Sequence, residues 1–293
     1  MARFLHFSMA LYTKDMKIIK IVFSLVILLM LTCLGGLYYA FKIEPYRLVV
    51  NQHQLENRSS KEKIKIVQLS DLHIKKDFDA KHLDKVIQKT NEQNPDFIVF
   101  SGDLYDNYAH YNENEQVISK LQKMKAKYGK IAIWGNRDYG GGASREYANI
   151  MSESGFTLLR NENLLIPMNN GEKILFTGLD DALLGNPSLP SSYQMEESTY
   201  DVLLTHEPDE VSQYQNKGYE LILSGHSHGG QVNIPFIPQV QKKAASVMKH
   251  SNNYTGGLYQ LNTNETLYVN TGIGTTHLSA RFGVVPEIAV FNF

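Results

Sequence analysis

Residues 64–73 read IKIVQLSDLH, an apolar run that ends in a polar Asp-x-His triplet. A short apolar run of this kind is typical of a buried strand. Asp71 and His73 come directly after it, where a strand gives way to a loop. The stretch therefore predicts a buried strand that carries two potential metal ligands at its carboxyl end.

The chain repeats this arrangement several times. Helical stretches over 80–93, 113–127 and 144–154 alternate with apolar runs at 97–101 and 131–134. Such alternation favours an α/β fold with parallel strand pairs. Later runs with shorter connections predict a second, mixed sheet, and they are KILFTG (173–178), YDVLLTH (200–206), ELILSGH (220–226) and TLYVNTG (266–272).

Polar side chains follow the predicted strands at five separate places. The carboxyl ends of strands are where open α/β sheets build their sites, so we expect these side chains to meet. Burying many carboxylates and imidazoles together without a cation costs several kcal/mol, roughly, and metal ions remove that conflict. The candidate ligands are Asp71, His73, Asp103, Asn136, His206, His226 and His228.

The ligand types restrict the metal. The single Cys33 excludes a disulfide framework and a multi-cysteine zinc site. Imidazole, carboxylate and amide ligands suit Mn²⁺, Fe or Zn²⁺, and we favour manganese. The ligand set is larger than one ion takes, so it predicts two divalent ions. Two ions about 3.5–4 Å apart, sharing one carboxylate, are a known device for hydrolysis at phosphorus by a metal-bridging hydroxide.

The polar motifs resemble the five blocks of the calcineurin-like metallophosphoesterases. In the family's order they are DLH (71–73), GDLYD (102–106), GNRD (135–138), THEP (205–208) and GHSH (225–228). The resemblance covers about residues 64–291, and the GHSHGGQ and NTGIG segments look like the membrane-anchored bacterial branch related to YkuE. It implies a sandwich of two mixed β-sheets flanked by helices.

The resemblance also implies a division of the ligands between two metals. One metal would be held by Asp71, His73, Asp103 and His228. The second would be completed by Asn136, His206 and His226, with Asp103 as the bridging carboxylate. Asp106 and Asp138 have two open interpretations: they orient ligand histidine rings, or they cap the surface.

Arg137 departs from the family's commoner Gly-Asn-His-Asp block. An arginine can stabilise charge on phosphate oxygens but does not donate a proton to the leaving group. Such a proton matters least when the leaving group is itself a phosphate anion. The same Gly-Asn-Arg-Asp block is typical of UDP-2,3-diacylglucosamine pyrophosphatases. We therefore expect a preference for diphosphates or good leaving groups, with Arg137, Asp103 and Asn136 as the catalytic residues.

The N-terminal region is the clearest break in composition. Residues 21–41 contain no charged residue and are long enough to span a bilayer. Tyr38-Tyr39-Ala40 is a poor signal-peptidase exit, which favours an uncleaved anchor. The basic bias before the span places the catalytic domain outside the cytoplasm, with the cytoplasmic face as the alternative. The expected organisation is a basic segment (1–20), a signal anchor (21–41), a tether (42–62) and the catalytic domain (63–293).

Charge and composition restrict the partners. The formal net charge of −1 indicates no nucleic-acid surface. We expect a phosphorylated small molecule or a lipid-linked envelope substrate, together with the membrane through the anchor. The alternative is a catalytically silent binding module that keeps the fold. A complete ligand set favours the enzyme, because silent relatives tend to lose ligands.

Overall fold

A single long helix precedes the folded domain. The computed structural model describes residues 2–55, 63–190 and 198–293, with side chains from Met16 onward. Helix α1 covers Ala2–Lys42. From Met16 to Tyr38 its apolar side chains are almost all exposed, whereas Ala40 is buried against the domain. Within the described residues, α1 is the one helix long and apolar enough to cross a membrane.

Two six-stranded mixed sheets form the domain. The first contains, in spatial order, β1 (Val49–Gln54), β12 (Glu287–Asn292), β2 (Lys65–Leu69), β3 (Phe97–Phe100), β4 (Gly129–Ala132) and β5 (Thr157–Leu158). The second contains β10 (Gly257–Gln260), β11 (Thr266–Val269), β9 (Leu221–Ser224), β8 (Tyr200–Leu204), β7 (Lys173–Gly178) and β6 (Glu162–Pro167). Strands β2 to β5 run parallel, as do β7, β8, β9 and β11. The predicted mixed sheets are confirmed.

The two sheets pack face to face through a common core. Strand β2 shows how the sequence achieves this: Ile66 belongs to the core between the sheets, while its neighbour Val67 belongs to the core on the outer face. Successive side chains of a strand point to opposite faces, so a continuous apolar run buries both. Phe97 and Phe176 join the sheets, with ring centroids 5.1 Å apart.

Helices cover the outer face of the first sheet. They are α2 (Leu83–Asn91), α3 (Asn114–Leu121) and α5 (Tyr147–Glu153), which confirms the three predicted helical regions with shorter bounds. Val86, Val117 and Ile150 pack from these helices into the same core as Val67. Two further helices, α4 (Asn136–Gly140) and α6 (Pro238–Ala245), lie beyond the strand ends.

The tether expected over 42–62 is wrong for Val49–Gln54. These residues form β1, which pairs in parallel with Glu287–Asn292 at the edge of the first sheet. The ring of His53 stacks on Phe291 with centroids 5.4 Å apart. An edge strand faces solvent along much of its surface and therefore carries polar residues. Its sequence for that reason resembles the sequence of a linker. The folded domain therefore begins before residue 63, and residues 56–62 lie outside the described chain.

Candidate metal centre

The predicted ligands lie at one edge of the sandwich. Strands β2, β3 and β4 of the first sheet and β8 and β9 of the second end there, and each is followed by a ligand-bearing loop. Hydrogen bonds link the loops of the two sheets at this edge; for example, the His226 amide donates to Asp71 Oδ2 at 3.0 Å. Parallel strands place their carboxyl ends together, so five distant segments reach one place.

Asp71, His73 and His228 form the first group. His228 Nε2 lies 3.3 Å from Asp71 Oδ1 and 2.9 Å from His73 Nε2. His73 Nε2 lies 3.6 Å from the same Asp71 oxygen. All three side chains are buried. Three ligand atoms therefore converge on one point, as binding of a single cation requires.

Asp103 lies between this group and a second one. Its Oδ2 is 3.4 Å from His73 Nε2 and 3.5 Å from His206 Nε2. Asn136 Oδ1 lies 3.1 Å from His226 Nδ1. The structure thus brings all seven predicted ligands together, with one Asp103 oxygen in contact distance of a histidine from each side.

Two buried polar atoms test whether this set fits metal ions. Asp71 Oδ1 and His206 Nε2 are buried, and neither makes a hydrogen bond with a described residue. Leaving such atoms unpaired costs about 1–3 kcal/mol each, and more when the group is charged. Both atoms point into the ligand cluster, where a cation would satisfy them. The residues therefore fit divalent metal ions.

The backbone at the ligands is held in an uncommon conformation. Five of the seven have positive φ, namely Asp71 (52°), His73 (43°), Asp103 (63°), His226 (65°) and His228 (51°). Non-glycine residues with positive φ are uncommon, and such conformations cost of order 1 kcal/mol or more each. They persist only where the surrounding structure enforces them, so the fold holds these loops with their side chains directed at one point.

Three histidine rings have an oxygen close to their other nitrogen. For His206 and His226 this contact is a hydrogen bond, and for His73 it is a close ion-pair contact with Asp106. His73 Nδ1 lies 3.2 Å from Asp106 Oδ1, His206 Nδ1 lies 2.6 Å from the carbonyl oxygen of Ser101, and His226 Nε2 lies 2.8 Å from that of Lys249. An acceptor at one nitrogen fixes the tautomer and leaves the opposite nitrogen free to bind a metal. The histidine-orienting interpretation of Asp106 agrees with this geometry.

Asp138 caps a helix from inside the protein rather than at the surface. It is fully buried, and its carboxylate accepts the amide of Gly135, the N-cap residue of α4, at 2.9 Å. The carboxylate also accepts the main-chain amides of Asp103 (2.9 Å) and Leu104 (3.0 Å). Burial and the nearby Asp103 raise its pKa to about 7. Asp138 therefore ties together the two loops that carry Asp103 and Asn136.

The electrostatics of Asp71 and His226 suit metal binding. Burial alone would raise the pKa of Asp71, but the neighbouring His228 and His73 outweigh it and hold that pKa below its usual value. Burial and the adjacent His206 lower the pKa of His226 to about 4. A carboxylate that stays ionised and an imidazole that stays neutral are the forms that bind metals. At His73 and His206, by contrast, burial is outweighed by nearby carboxylates that raise the pKa, so these two rings lose a proton when they bind a metal.

An open cleft of about 280 Å³ leads to the cluster. Arg137 lines it, and its Nη2 donates to Thr276 Oγ1 at 3.0 Å. His277 and Lys249 line the same cleft and were missed as site residues, since no strand ends directly before them. The sequence analysis also missed Glu207. This residue is buried, and a carboxylate oxygen of its side chain lies within 4.8 Å of a ring nitrogen of His206 and of His226.

A two-sheet α/β sandwich with clustered His, Asp and Asn ligands at its strand ends defines a metal-dependent phosphoesterase. Residues 64–230 match the model of the family described as calcineurin-like phosphoesterase. The chain belongs to this family, and it is a metal-dependent phosphohydrolase. The resemblance read from the five motifs is confirmed.

Relatives extend the match beyond the catalytic motifs. The uncharacterized metallophosphoesterase YkuE of Bacillus subtilis is 38% identical over 267 residues, covering 89% of this chain and 91% of the relative. The uncharacterized metallophosphoesterase Cj0846 of Campylobacter jejuni is 30% identical over 281 residues, covering 94% of this chain and 70% of the relative. A solved NAD nucleotidase of Haemophilus influenzae has a TM-score of 0.44 at 14% identity, covering 72% of this chain and 46% of that one.

Proposed function

We propose that this chain hydrolyses phosphate ester or diphosphate bonds at a centre of two divalent metal ions. The position of Asp103 carries the proposal, because its Oδ2 faces His73 on one side and His206 on the other at similar distances. A carboxylate placed between two ligand groups is the arrangement that two neighbouring ions share. When bound at these residues, two divalent ions would supply Lewis-acid polarisation of phosphoryl oxygens and a water of lowered pKa.

The protein side chains divide the remaining work. In this proposal Asp71, His73 and His228 hold one ion, and Asn136, His206 and His226 hold the other. The Arg137 amide donates to Asp103 Oδ1 at 2.7 Å, which leaves Oδ2 directed at the cluster. Ligands of imidazole, carboxylate and amide suit manganese, iron or zinc, and we favour manganese.

An Asp103→Asn variant tests the shared carboxylate. We expect the purified full-length chain to bind two manganese ions by elemental analysis. The variant should bind fewer and lose about three orders of magnitude in activity, a loss comparable to removing a key charge-stabilising group. Asp84→Asn is the control, since Asp84 is an exposed carboxylate paired with Lys120. The two-ion mechanism would be refuted if Asp103→Asn bound two ions and also hydrolysed substrate at the full rate.

Arg137 suggests the class of bond that is cleaved. Its guanidinium lines the cleft and is positioned by Thr276. It offers charge and a fork of donors to phosphate oxygens rather than a proton to the leaving group. Diphosphates and esters with good leaving groups need that proton least. We therefore propose these substrates over simple alkyl monoesters.

An Arg137→His variant tests this preference. Histidine can donate a proton, so we expect the ratio of diphosphate to alkyl monoester hydrolysis to fall by about tenfold or more, within the range of general-acid effects. Arg145→His changes an exposed arginine outside the cleft and should leave the ratio unchanged. An unchanged ratio in Arg137→His would contradict the leaving-group argument while leaving the two-ion centre intact.

We further propose that α1 anchors the chain in a membrane, with the catalytic domain outside the cytoplasm and a lipid-linked or envelope substrate. The exposed apolar surface of α1 supports the anchor, and the basic residues before the span support the orientation. A reporter fused after Phe293 distinguishes the two sides of the membrane. We expect activity from a reporter that works only after export from the cytoplasm. Activity from a cytoplasmic reporter alone would show the opposite orientation.

A further inference from the structure

A short segment that leads into α6 exposes large apolar side chains. Residues 234–238 read IPFIP and end at the first residue of α6, and we call them the apolar loop. Phe236 is fully exposed, and Ile237 and Ile234 are 47% and 36% exposed. Phe236 also has a φ of 67°, which is unusual for a bulky residue. A loop that is strained and presents adjacent apolar side chains to solvent is not explained by packing within the domain.

The apolar loop lies beside the point where α1 leaves the domain. The Arg281 amide donates to the carbonyl oxygen of Ala40 at 3.0 Å, and the Tyr39 ring contacts Phe282 edge-on at 6.1 Å. Phe282 in turn pairs with Val232 through an isolated β-bridge. Ile234 is two residues from Val232, and two residues of chain span at most about 7 Å. The loop therefore begins close to the end of the anchor.

Along the chain, the charged residues that flank the apolar loop have one sign. No aspartate or glutamate occurs from residue 221 to residue 264, whereas lysines occur at 242, 243 and 249. Lys242 and Lys243 lie exposed on α6, directly after the loop, and neither pairs with a carboxylate of the described chain. Apolar side chains flanked by unpaired lysines match the interface of a bilayer that contains anionic lipid.

We propose that the apolar loop makes a second membrane contact, inserting into the interface of the bilayer that α1 crosses, with Lys242 and Lys243 facing anionic headgroups. Helix α6 connects the loop to Val247 and Met248, which line the catalytic cleft. The contact therefore holds the cleft next to the lipid surface. The inference rests on the proposed anchor and not on the proposed hydrolysis, because its test detects lipid rather than turnover.

Lipid quenching tests the contact in the full-length chain. In a Cys33→Ser background, Phe236→Cys is labelled with an environment-sensitive fluorophore and placed in nanodiscs containing lipids brominated on the acyl chain. Leu258→Cys is the matched control, because Leu258 is 48% exposed on β10 and shares its cavity with Tyr200 and Glu220 at the opposite ends of the strands. We expect quenching several-fold stronger at 236 than at 258. Equal quenching at the two positions would overturn the proposal.

Two further measurements separate lipid from other occupants of the loop. Quenching at 236 should be the same with one or several chains per nanodisc, and a signal that requires several chains would instead indicate a contact between copies. Replacing phosphatidylcholine with phosphatidylglycerol should move the label deeper into the bilayer, which would appear as stronger quenching at 236. The double substitution Lys242→Gln with Lys243→Gln should abolish this difference in quenching between the two lipids. A difference that survives both substitutions would refute the role of the lysines. Because these side chains are exposed, circular dichroism should show unchanged folding.

Discussion

Replacing Asp138 with alanine should destabilise the protein strongly, although Asp138 is not a predicted metal ligand. Its buried carboxylate accepts the amides of Asp103, Leu104 and Gly135 at 2.9–3.0 Å. The alanine variant would leave all three amides buried without an acceptor. Each unsatisfied amide costs about 1–3 kcal/mol, so a loss of roughly 3–6 kcal/mol is expected if part of the backbone relaxes.

Asp209 provides a matched control for this prediction. Its carboxylate also accepts three main-chain amides, those of Asn252 (2.8 Å), Asn253 (3.0 Å) and Tyr254 (3.2 Å). It is only partly buried, so water can replace the lost acceptor. Asp209→Ala should therefore cost about 1 kcal/mol, a typical net value for hydrogen bonds that water can replace.

Thermal unfolding measures both variants. Trp134 is the single tryptophan, and it stacks on Tyr139 with ring centroids 4.5 Å apart, so its fluorescence reports on this region. In detergent and without added metal, Asp138→Ala should lower the Tm by roughly 6–24 °C, and Asp209→Ala by about 2–4 °C. Equal Tm shifts in the two variants would show that burial does not determine how much stability is lost when these amides lose their acceptor. A metal titration should also show weakened binding in Asp138→Ala alone, because Asp103 loses its support.

Three further predictions follow from individual contacts. Asp106→Asn should weaken manganese binding by about 10–100-fold in a calorimetric titration with little change in Tm, since the carboxylate orients His73; unchanged affinity would contradict that role. Chelation by EDTA should lower the Tm and manganese should restore it, because Asp71 Oδ1 is otherwise buried without a hydrogen bond from the described part of the chain. A Tm that changes with neither treatment would contradict metal binding. Burial raises the pKa of Asp201 to about 6, so the stability that its protonated form contributes is full below its unfolded pKa of about 4 and is lost as the pH rises through 6. Asp201→Asn should therefore raise the Tm more at pH 8 than at pH 5, and an equal rise at both pH values would refute this prediction.

The sequence predicted the central strands and the ligands that follow them, because both signals are local. An apolar run such as Ile64–Leu69 and the Asp71 and His73 after it lie within ten residues of each other. The same reasoning failed for β1, whose polar residues at 49–54 become a strand only by pairing with β12 more than two hundred residues later. Edge strands carry a weak local pattern because one side of them faces water.

The fold class, the family and the types of side chain available to a metal follow from residue identity and short-range order, so they are visible in the sequence. Three features emerge only in the folded chain: Asp103 faces histidines from both sheets, Asp138 accepts backbone amides from two loops, and the apolar loop lies beside the anchor. Each of these depends on contacts between distant segments, as in the bond from His226 to Asp71 across 155 positions. Such contacts arise from how two sheets pack, and no pattern of neighbouring residues specifies that packing.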